Sequence, residues 1–123
     1  MRVAIPTENG QICLLYEQAK EFTIYDVEIE LVRAKETVAL RGRMADFLTK
    51  QEINAVICAA IRSETKTLLR TKRIELTYGV TGDADAIMIR YLSGERLGTI
   101  EENALLRLEA DEELEEFSGC QKS

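Results

Sequence analysis

Histidine and tryptophan are absent from this sequence of 123 residues, and proline occurs once. Zinc sites built from cysteine and histidine need an imidazole, as do catalytic groups that pair serine or cysteine with histidine, so both are excluded. Cysteine is also scarce. Cys13, Cys58 and Cys120 are odd in number, lie far apart and include no Cys-x-x-Cys pair. They therefore do not form the framework of a disulfide-stabilised domain.

Long hydrophobic runs are missing as well. The longest apolar run covers residues 55–61, whereas a membrane-spanning helix needs about 20 apolar residues. Near the start, Pro6 interrupts a short apolar stretch, which is too short for the centre of a signal peptide. We therefore expect a soluble, cytoplasmic protein with no membrane contact. Its length fits one domain of about 100–150 residues.

Positive charge of the kind that binds nucleic acid is lacking too. The net charge is −6, but residues 101–117 hold eight acidic residues and one basic residue, which is −7. The rest of the chain therefore sums to +1, because −6 minus −7 is +1. A nearly neutral body has no basic stripe for a phosphate backbone, so nucleic acid is excluded as a partner.

The acidic segment predicts a helix that is separate from the main domain. From Glu101 onward, four apolar residues recur at helical spacing: Leu106, Ala110, Leu114 and Phe117. We predict an α/β domain over residues 1–98, followed over residues 99–123 by an acidic amphipathic C-terminal helix and a loose tail. This helix either packs on its own domain or offers its apolar stripe to a partner protein.

Hydrophobic patterning predicts five strands and three helices in the main domain. Apolar runs and alternations indicate strands, and i, i+3, i+4 spacing indicates helices. Ser63 is a candidate N-cap of the second helix, Thr81 or Asp83 of the third, and Gly94 ends the third. The strands are predicted at residues 2–6 (ended by Pro6), 22–28, 31–40, 55–60 and 74–78, and the helices at residues 41–52, 63–72 and 83–93.

The order of these elements predicts a three-layer α/β fold. Only two or three residues separate the second and third strands, which is typical of an antiparallel hairpin. The strand–helix–strand units after residue 55 predict parallel pairing with right-handed crossovers. Helices would then cover both faces of a mixed sheet.

Ligands of open α/β sheets bind beyond the carboxyl ends of parallel strands, and three predicted loops lie there. They cover residues 6–19, 59–65 and 78–85. The last includes Gly79, Thr81, Gly82 and Asp83 immediately before a helix, whose free N–H groups favour anions. The alternative is a tight turn with an N-cap. Asp83 and Asp85 would likewise be either acid–base groups or cation ligands, or acidic partners of the helix dipole.

Two cysteines and one arginine are further candidates for this site. Cys13 lies in the first loop and Cys58 near the end of a strand, and thiolates suit iron–sulfur chemistry. The alternative for Cys58 is a small buried hydrophobic residue. Arg62 follows the same strand and would either meet an anionic ligand or be an ordinary solvated charge. A site with two thiolates is incomplete for a cluster, so a homodimer or outside ligands would complete it.

Three stretches resemble the dinitrogenase iron-molybdenum cofactor biosynthesis family, the NifX-like domain. They are MRVAIPTENG at residues 1–10, AKEFTIYDVE at 19–28 and YGVTGDADAIMIRYL at 78–92. The resemblance implies a ribonuclease H-like α/β/α fold with a mixed five-stranded sheet of order 3-2-1-4-5. It also implies non-catalytic carriage of an iron–sulfur or iron–molybdenum cluster, and partners that donate or accept such a cluster.

Two departures from the family pattern keep a second function open. Leu15, Tyr16 and Glu17 stand where many members have His-Phe-Gly, and the glycine-rich turn after the fourth strand is absent. The alternative is a protein-interaction or regulatory module with no bound cluster. A nuclease-like enzyme is disfavoured, because its two-metal site needs carboxylates at strand positions that are apolar here, in residues 3–5 and 56–58. We therefore expect no enzymatic activity.

Overall fold

The computed structural model describes residues 1–101, which form a mixed sheet between helices. None of the helices in this part of the chain is long and apolar enough to cross a membrane. A single 3₁₀ turn, Tyr16–Gln18, lies between β2 and β3. The strands are β1 Arg2–Glu8, β2 Gln11–Ile12, β3 Glu21–Glu28, β4 Leu31–Ala39, β5 Ala55–Ile57, β6 Glu75–Tyr78 and β7 Thr99–Glu101, and the helices are α1 Met44–Lys50, α2 Ser63–Thr71 and α3 Ala84–Leu92.

The five predicted strands lie in the predicted order. The sheet runs β4-β3-β1-β5-β6-β7, and β2 pairs with β1 off this path. The predicted order 3-2-1-4-5 corresponds to β4-β3-β1-β5-β6. The β1 strand pairs antiparallel with β3 and parallel with β5, which pairs parallel with β6. The mixed α/β class is therefore confirmed, and the sheet differs from the prediction by the two short strands β2 and β7.

Side chains of β1 lie in two hydrophobic cores, one on each face of the sheet. Val3 and Ile5 pack in the core beneath α3, and Ala4 packs in the core beneath α1 and α2. All three residues are 0% exposed. Alternation along a strand sends successive side chains to opposite faces. Both faces of the sheet are therefore covered by helices, which gives the three-layer arrangement.

The prediction that Pro6 ends the first strand is wrong. Pro6 pairs with Phe22 inside β1, which continues to Glu8. The Pro6 carbonyl accepts a hydrogen bond from the Cys13 amide on the side of β1 away from β3. Because the nitrogen of a strand residue faces the same side as its carbonyl, the missing N–H costs the β1–β3 ladder no hydrogen bond.

The predicted caps are correct for α3 and wrong for α2. The Asp83 side chain accepts a hydrogen bond from the Ala86 amide at 3.0 Å, and Gly94 follows α3 with a φ of 89°. Ser63 is the first residue of α2 and not its cap; the N-cap is Arg62, whose side chain makes no capping bond. Helix α1 starts at Met44, later than predicted, because Gly42 has a φ of 74° that helices do not allow.

The predicted start of the C-terminal helix at Glu101 is wrong. Glu101 is the last residue of β7, which pairs antiparallel with β6 through Thr99, Ile100 and Glu101. The remainder of the predicted acidic helix and its tail, with Cys120, lies outside the described residues. The division into domains at residues 98 and 99 stays a prediction.

The hairpin between β3 and β4 turns through two residues in an unfavourable conformation. Ile29 has a φ of 52° and Glu30 a φ of 62°, and Ile29 is 87% exposed. Two positive φ values in a two-residue loop are typical of a type I′ turn, which favours Asn-Gly. A β-branched side chain at such a φ is rare and strained. Stability is therefore lost at this turn.

Replacing Ile29-Glu30 by Asn-Gly should stabilise the protein. The substitution relieves strain at two residues and removes no buried contact, so we expect the free energy of unfolding to rise by about 1–2 kcal/mol. Urea unfolding followed by circular dichroism measures this rise. Ile29→Val is the matched control, because it keeps a β-branched residue and should bring no gain. An Asn-Gly variant no more stable than the parent would contradict the assignment of strain.

Candidate functional site

Three loops meet at the end of the sheet where the parallel strands finish. They cover residues 9–19, 58–62 and 79–83, and we call them together the carboxyl-end surface. The first two run side by side: the Tyr16 amide donates to the Ala60 carbonyl at 2.9 Å, and the Ala60 amide donates to the Leu14 carbonyl at 3.0 Å. The Gly79 amide donates to the Ala59 carbonyl at 2.8 Å. Backbone hydrogen bonds therefore hold these loops together.

A tight hairpin joins the first loop to the third. Asn9 and Gly10 both have a positive φ, 55° and 81°, and connect β1 to β2 as a tight Asn-Gly turn. The Ile12 amide donates to the Gly82 carbonyl at 2.8 Å, and the Ala84 amide donates to the Gly10 carbonyl at 2.9 Å. The hairpin is thus fixed against the start of α3.

The loop before α3 acts as a turn with an N-cap. Gly79 and Gly82 have φ values of 83° and 119°, which only glycine adopts freely. Of the first amides of α3, those of Ala84 and Ala86 already donate to the Gly10 carbonyl and to the Asp83 side chain. The capacity of this helix start for an outside anion is correspondingly reduced. Gly79, Thr81 and Asp83 themselves remain exposed at the carboxyl-end surface.

Asp85 ties α3 to the antiparallel half of the sheet. Its carboxylate accepts hydrogen bonds from the Lys35 ammonium and the Tyr25 hydroxyl, each at 2.7 Å. These two hydrogen bonds hold the pKa of Asp85 below its ordinary value. The bond from Lys35 has the larger effect and the bond from Tyr25 the smaller one. The pKa of Tyr25 is raised, mainly by burial and to a smaller extent by the hydrogen bond to Asp85. This carboxylate is therefore engaged in a structural contact between α3 and the sheet.

The two predicted thiol ligands differ in access. Cys13 is partly buried, and its Sγ lies 3.6 Å from the Leu15 carbonyl oxygen. Cys58 is 0% exposed and belongs to the core beneath α1 and α2. Burial, with a smaller effect of the Glu17 charge, raises the pKa of Cys58 to about 12. Because the thiolate is the form that binds metal, Cys13 is the more available ligand.

The described residues, 1–101, do not by themselves fit a resident metal cluster. Within residues 1–101, no group of three or more histidine, cysteine, aspartate or glutamate side chains could hold a metal ion. Protein-held iron–sulfur clusters use about four such ligands. The assignment of Cys13 and Cys58 as metal ligands therefore stays a prediction, and any cluster would need ligands from elsewhere.

Glu17 caps α2 from a distant part of the chain, a role that the sequence analysis missed. Its Oε2 accepts a hydrogen bond from the Arg62 amide at 3.0 Å. Burial acts to raise the pKa of Glu17, but hydrogen bonds from the Thr65 side chain and the Arg62 amide outweigh it and lower the pKa. A carboxylate at a helix start is favourable, because the free N–H groups and the dipole attract it. The sequence carried no local signal for this role, because Ser63 already offered a candidate cap for α2.

Tyr16 is built into the core beside this cap. The ring is 1% exposed and makes an edge contact with Phe22 at 5.8 Å between centroids. Its hydroxyl is buried and has no hydrogen-bond partner among the described residues. Burial, with smaller effects from Cys58 and Glu17, raises the pKa of Tyr16. The segment that replaces the family's His-Phe-Gly is therefore structural in two of its three positions.

The sequence profile of a known family covers most of the chain. The family described as dinitrogenase iron-molybdenum cofactor matches residues 1–94. The chain belongs to this family. The match includes all three loops of the carboxyl-end surface, and the predicted NifX-like resemblance is confirmed. No curated protein matches the chain.

Solved structures of similar fold come from proteins with low sequence identity. The structure of PH0822 has a TM-score of 0.73 and 19% identity, and covers 87% of this chain and 98% of its own. A protein from Methanocaldococcus jannaschii, provisionally described as a dinitrogenase, has a TM-score of 0.69 and 23% identity, with coverage of 85% and 95%. A protein from Thermotoga, provisionally described as a NifB protein, has a TM-score of 0.60 and 20% identity. The match covers 82% of this chain and 91% of the Thermotoga chain. These likenesses show the fold of the family.

Removing the hydroxyl of Tyr16 or Tyr25 should have opposite effects on stability. Tyr25→Phe removes the bond to Asp85 and should lower the free energy of unfolding by about 0.5–1.5 kcal/mol. Tyr16→Phe removes a buried hydroxyl without a partner in residues 1–101, and should leave stability unchanged or raise it by about 1 kcal/mol. Urea unfolding of both variants tests the pair. A clear loss in Tyr16→Phe would show that its hydroxyl is bonded.

Glu17→Ala should destabilise the protein in a pH-dependent way. Loss of the cap should lower the free energy of unfolding by about 0.5–2 kcal/mol near pH 7. A carboxyl whose pKa is lowered on folding stabilises above its unfolded value of 4.5, and this stabilisation is lost as pH falls through the folded value. The deficit of the variant should therefore shrink below about pH 4.5 in urea unfolding at several pH values. Exposed Glu8→Ala is the control, and a pH-independent deficit would contradict the charge-based cap.

Proposed function

We propose that this chain is a non-catalytic accessory protein that carries an iron–sulfur or iron–molybdenum type cluster as cargo. Membership of the dinitrogenase iron-molybdenum cofactor family over residues 1–94 is the observation that carries this proposal. The cargo would sit at the carboxyl-end surface, where three loops converge and open α/β sheets bind ligands.

The available groups at this surface suit transient capture better than permanent binding. Cys13 offers one partly accessible thiol, and the exposed Arg62 offers a positive charge beside the second loop. Gly79 and Thr81 are exposed, and a glycine without a Cβ allows close approach of a bulky anion to the backbone. A cargo cluster brings some of its own ligands and receives others from the protein that donates or accepts it. A single protein thiolate is compatible with such a transfer.

A second function is favoured by the segment that replaces the family's His-Phe-Gly. Tyr16 lies in the core and Glu17 caps α2, so neither faces an outside ligand. In this alternative the chain keeps the family fold but acts as an interaction or regulatory module without a cluster. The two functions differ in one observable, which is whether the protein takes up a metal cluster at all.

Anaerobic reconstitution with iron and sulfide should produce a visible charge-transfer band that depends on Cys13. Cys13→Ala removes the accessible thiolate and should weaken cluster retention by more than the roughly 10–100-fold that outer-shell partners of metal sites contribute. Absorbance and metal analysis after desalting measure this retention. Because Cys58 is 0% exposed, Cys58→Ala is the matched control and should keep the band.

Three results would change the proposal. Loss of the band in Cys58→Ala with an unchanged fold would make Cys58 a ligand, as the sequence analysis allowed. A band that survives in the double variant would place the cluster away from both thiols. If the parent protein shows no band and binds no metal, the result contradicts the proposed carrier function and favours the interaction module.

A further inference from the structure

Basic residues are concentrated along α2. Residues 62–73 hold five basic residues and one acidic residue, which gives +4 in a chain whose net charge is −6. Arg62, Lys66 and Arg70 follow at i, i+4 and i+8, and Arg73 lies just beyond the helix end. Residues at these spacings share one face of a helix. We call these four residues the basic stripe. The expectation that the body has no basic stripe is wrong for this helix, because the net charge of the body averages over it.

The basic stripe lies on the flank of α2 that faces β6. The Lys66 Nζ sits 4.0 Å from the centroid of the Tyr78 ring, at the carboxyl end of β6. At the other end, the Ile74 amide donates to the Leu69 carbonyl at 3.0 Å, which holds the last turn of α2 beside the start of β6. Lys66 of the stripe therefore contacts the carboxyl end of β6, and the last turn of α2, which includes Arg70, lies next to the start of β6.

The chain leaves the described structure next to this stripe. The β7 strand pairs antiparallel with the outer side of β6, and Glu101 is opposite Leu76. The chain thus leaves β7 near the amino end of β6, where α2 ends. The described part of the chain therefore ends near the last turn of α2, the turn that includes Arg70 and precedes Arg73 in the sequence.

The sequence of the next residues is complementary to the stripe. Residues 102–117 contain seven acidic residues and one basic residue, which is −6. Glu102, Glu109, Glu113 and Glu116 follow at i, i+7, i+11 and i+14, a spacing typical of one helical face. They flank the apolar stripe predicted at Leu106, Ala110, Leu114 and Phe117. At about 1.5 Å per residue, a helix over residues 102–116 would extend about 22 Å, against about 13 Å for α2.

We propose that the acidic segment, residues 102–117, docks on the basic stripe of its own chain. The point where the chain leaves β7 and the opposite charges of −6 and +4 carry this inference, and the segment is long enough to span the stripe. The docked segment shields Arg70 and Arg73 and extends toward Arg62 at the carboxyl-end surface. An acidic partner protein, or an anionic ligand at that end of α2, has to displace it. The segment therefore acts as an intramolecular competitor for this face.

A spin label on Cys120, three residues beyond the acidic segment, should locate this segment. In a full-length Cys13→Ser variant the label is directed to Cys120, because Cys58 is 0% exposed. A nitroxide on Cys120 should broaden backbone amide signals of residues 62–73 more strongly than those of α3 at low salt. The broadening should be lost at 1 M salt, where the screening length falls to about 3 Å. Mixing labelled and isotope-labelled molecules separates contacts within a chain from contacts between chains.

Charge reversal provides the decisive comparison. Arg70→Glu with Arg73→Glu leaves three basic and three acidic residues in 62–73, a net charge of zero, and should abolish the selective broadening. Adding Glu113→Arg and Glu116→Arg should restore it. Broadening that is equal on α2 and α3, that survives the reversal or that appears only between molecules would overturn the proposal. In the last case a second copy of the chain is the occupant.

Discussion

Burial of β1 on both of its faces is the constraint on which the rest of the structure depends. Val3, Ala4 and Ile5 are 0% exposed and supply both cores, and burial of each large apolar side chain contributes about 1.5–3 kcal/mol. A strand buried in this way needs partners on both edges, here β3 and β5. Because β1, β5 and β6 run parallel, their following loops collect at one end and form the carboxyl-end surface.

Much of this fold is predictable because its signals are local. The apolar run after residue 54, the alternation in residues 22–28 and the Asn-Gly turn each specify an element through nearby residues alone. The cap at Asp83 is similar, since its partner Ala86 lies three residues away. Such features follow from backbone preferences and periodicity, which act within a few residues.

The features that were missed depend on contacts between distant residues. Strands β2 and β7 have two and three residues, too few for a periodic signal, and exist only through pairing with β1 and β6. Glu17 caps a helix that begins 46 residues later. The neutral effect of Pro6 on the ladder depends on which side of β1 its nitrogen faces. None of these relationships can be read from the local sequence.

The candidate site shows the same division. The three loops do converge as predicted, because strand order and direction place them. The groups that these loops offer to a ligand were not predictable in the same way. The Ala84 and Ala86 amides at the start of α3 are bonded within the protein, and Glu17 occupies the start of α2. Cys58 is buried. Among residues 1–101, the accessible groups at this surface include Cys13, Arg62 and Gly79. The proposed function as a carrier rests on this set, which would hold a cluster only briefly as cargo.

Anaerobic native mass spectrometry of the full chain tests the cargo claim most directly. The isolated iron–molybdenum cofactor would be added first, and a molar excess of a small-molecule thiol second. We predict that the folded chain first carries the intact mass of the cofactor and then releases it to the competing thiol, because one protein thiolate is readily exchanged. A chain that never carries the cofactor, or that retains it against the thiol, would contradict the account.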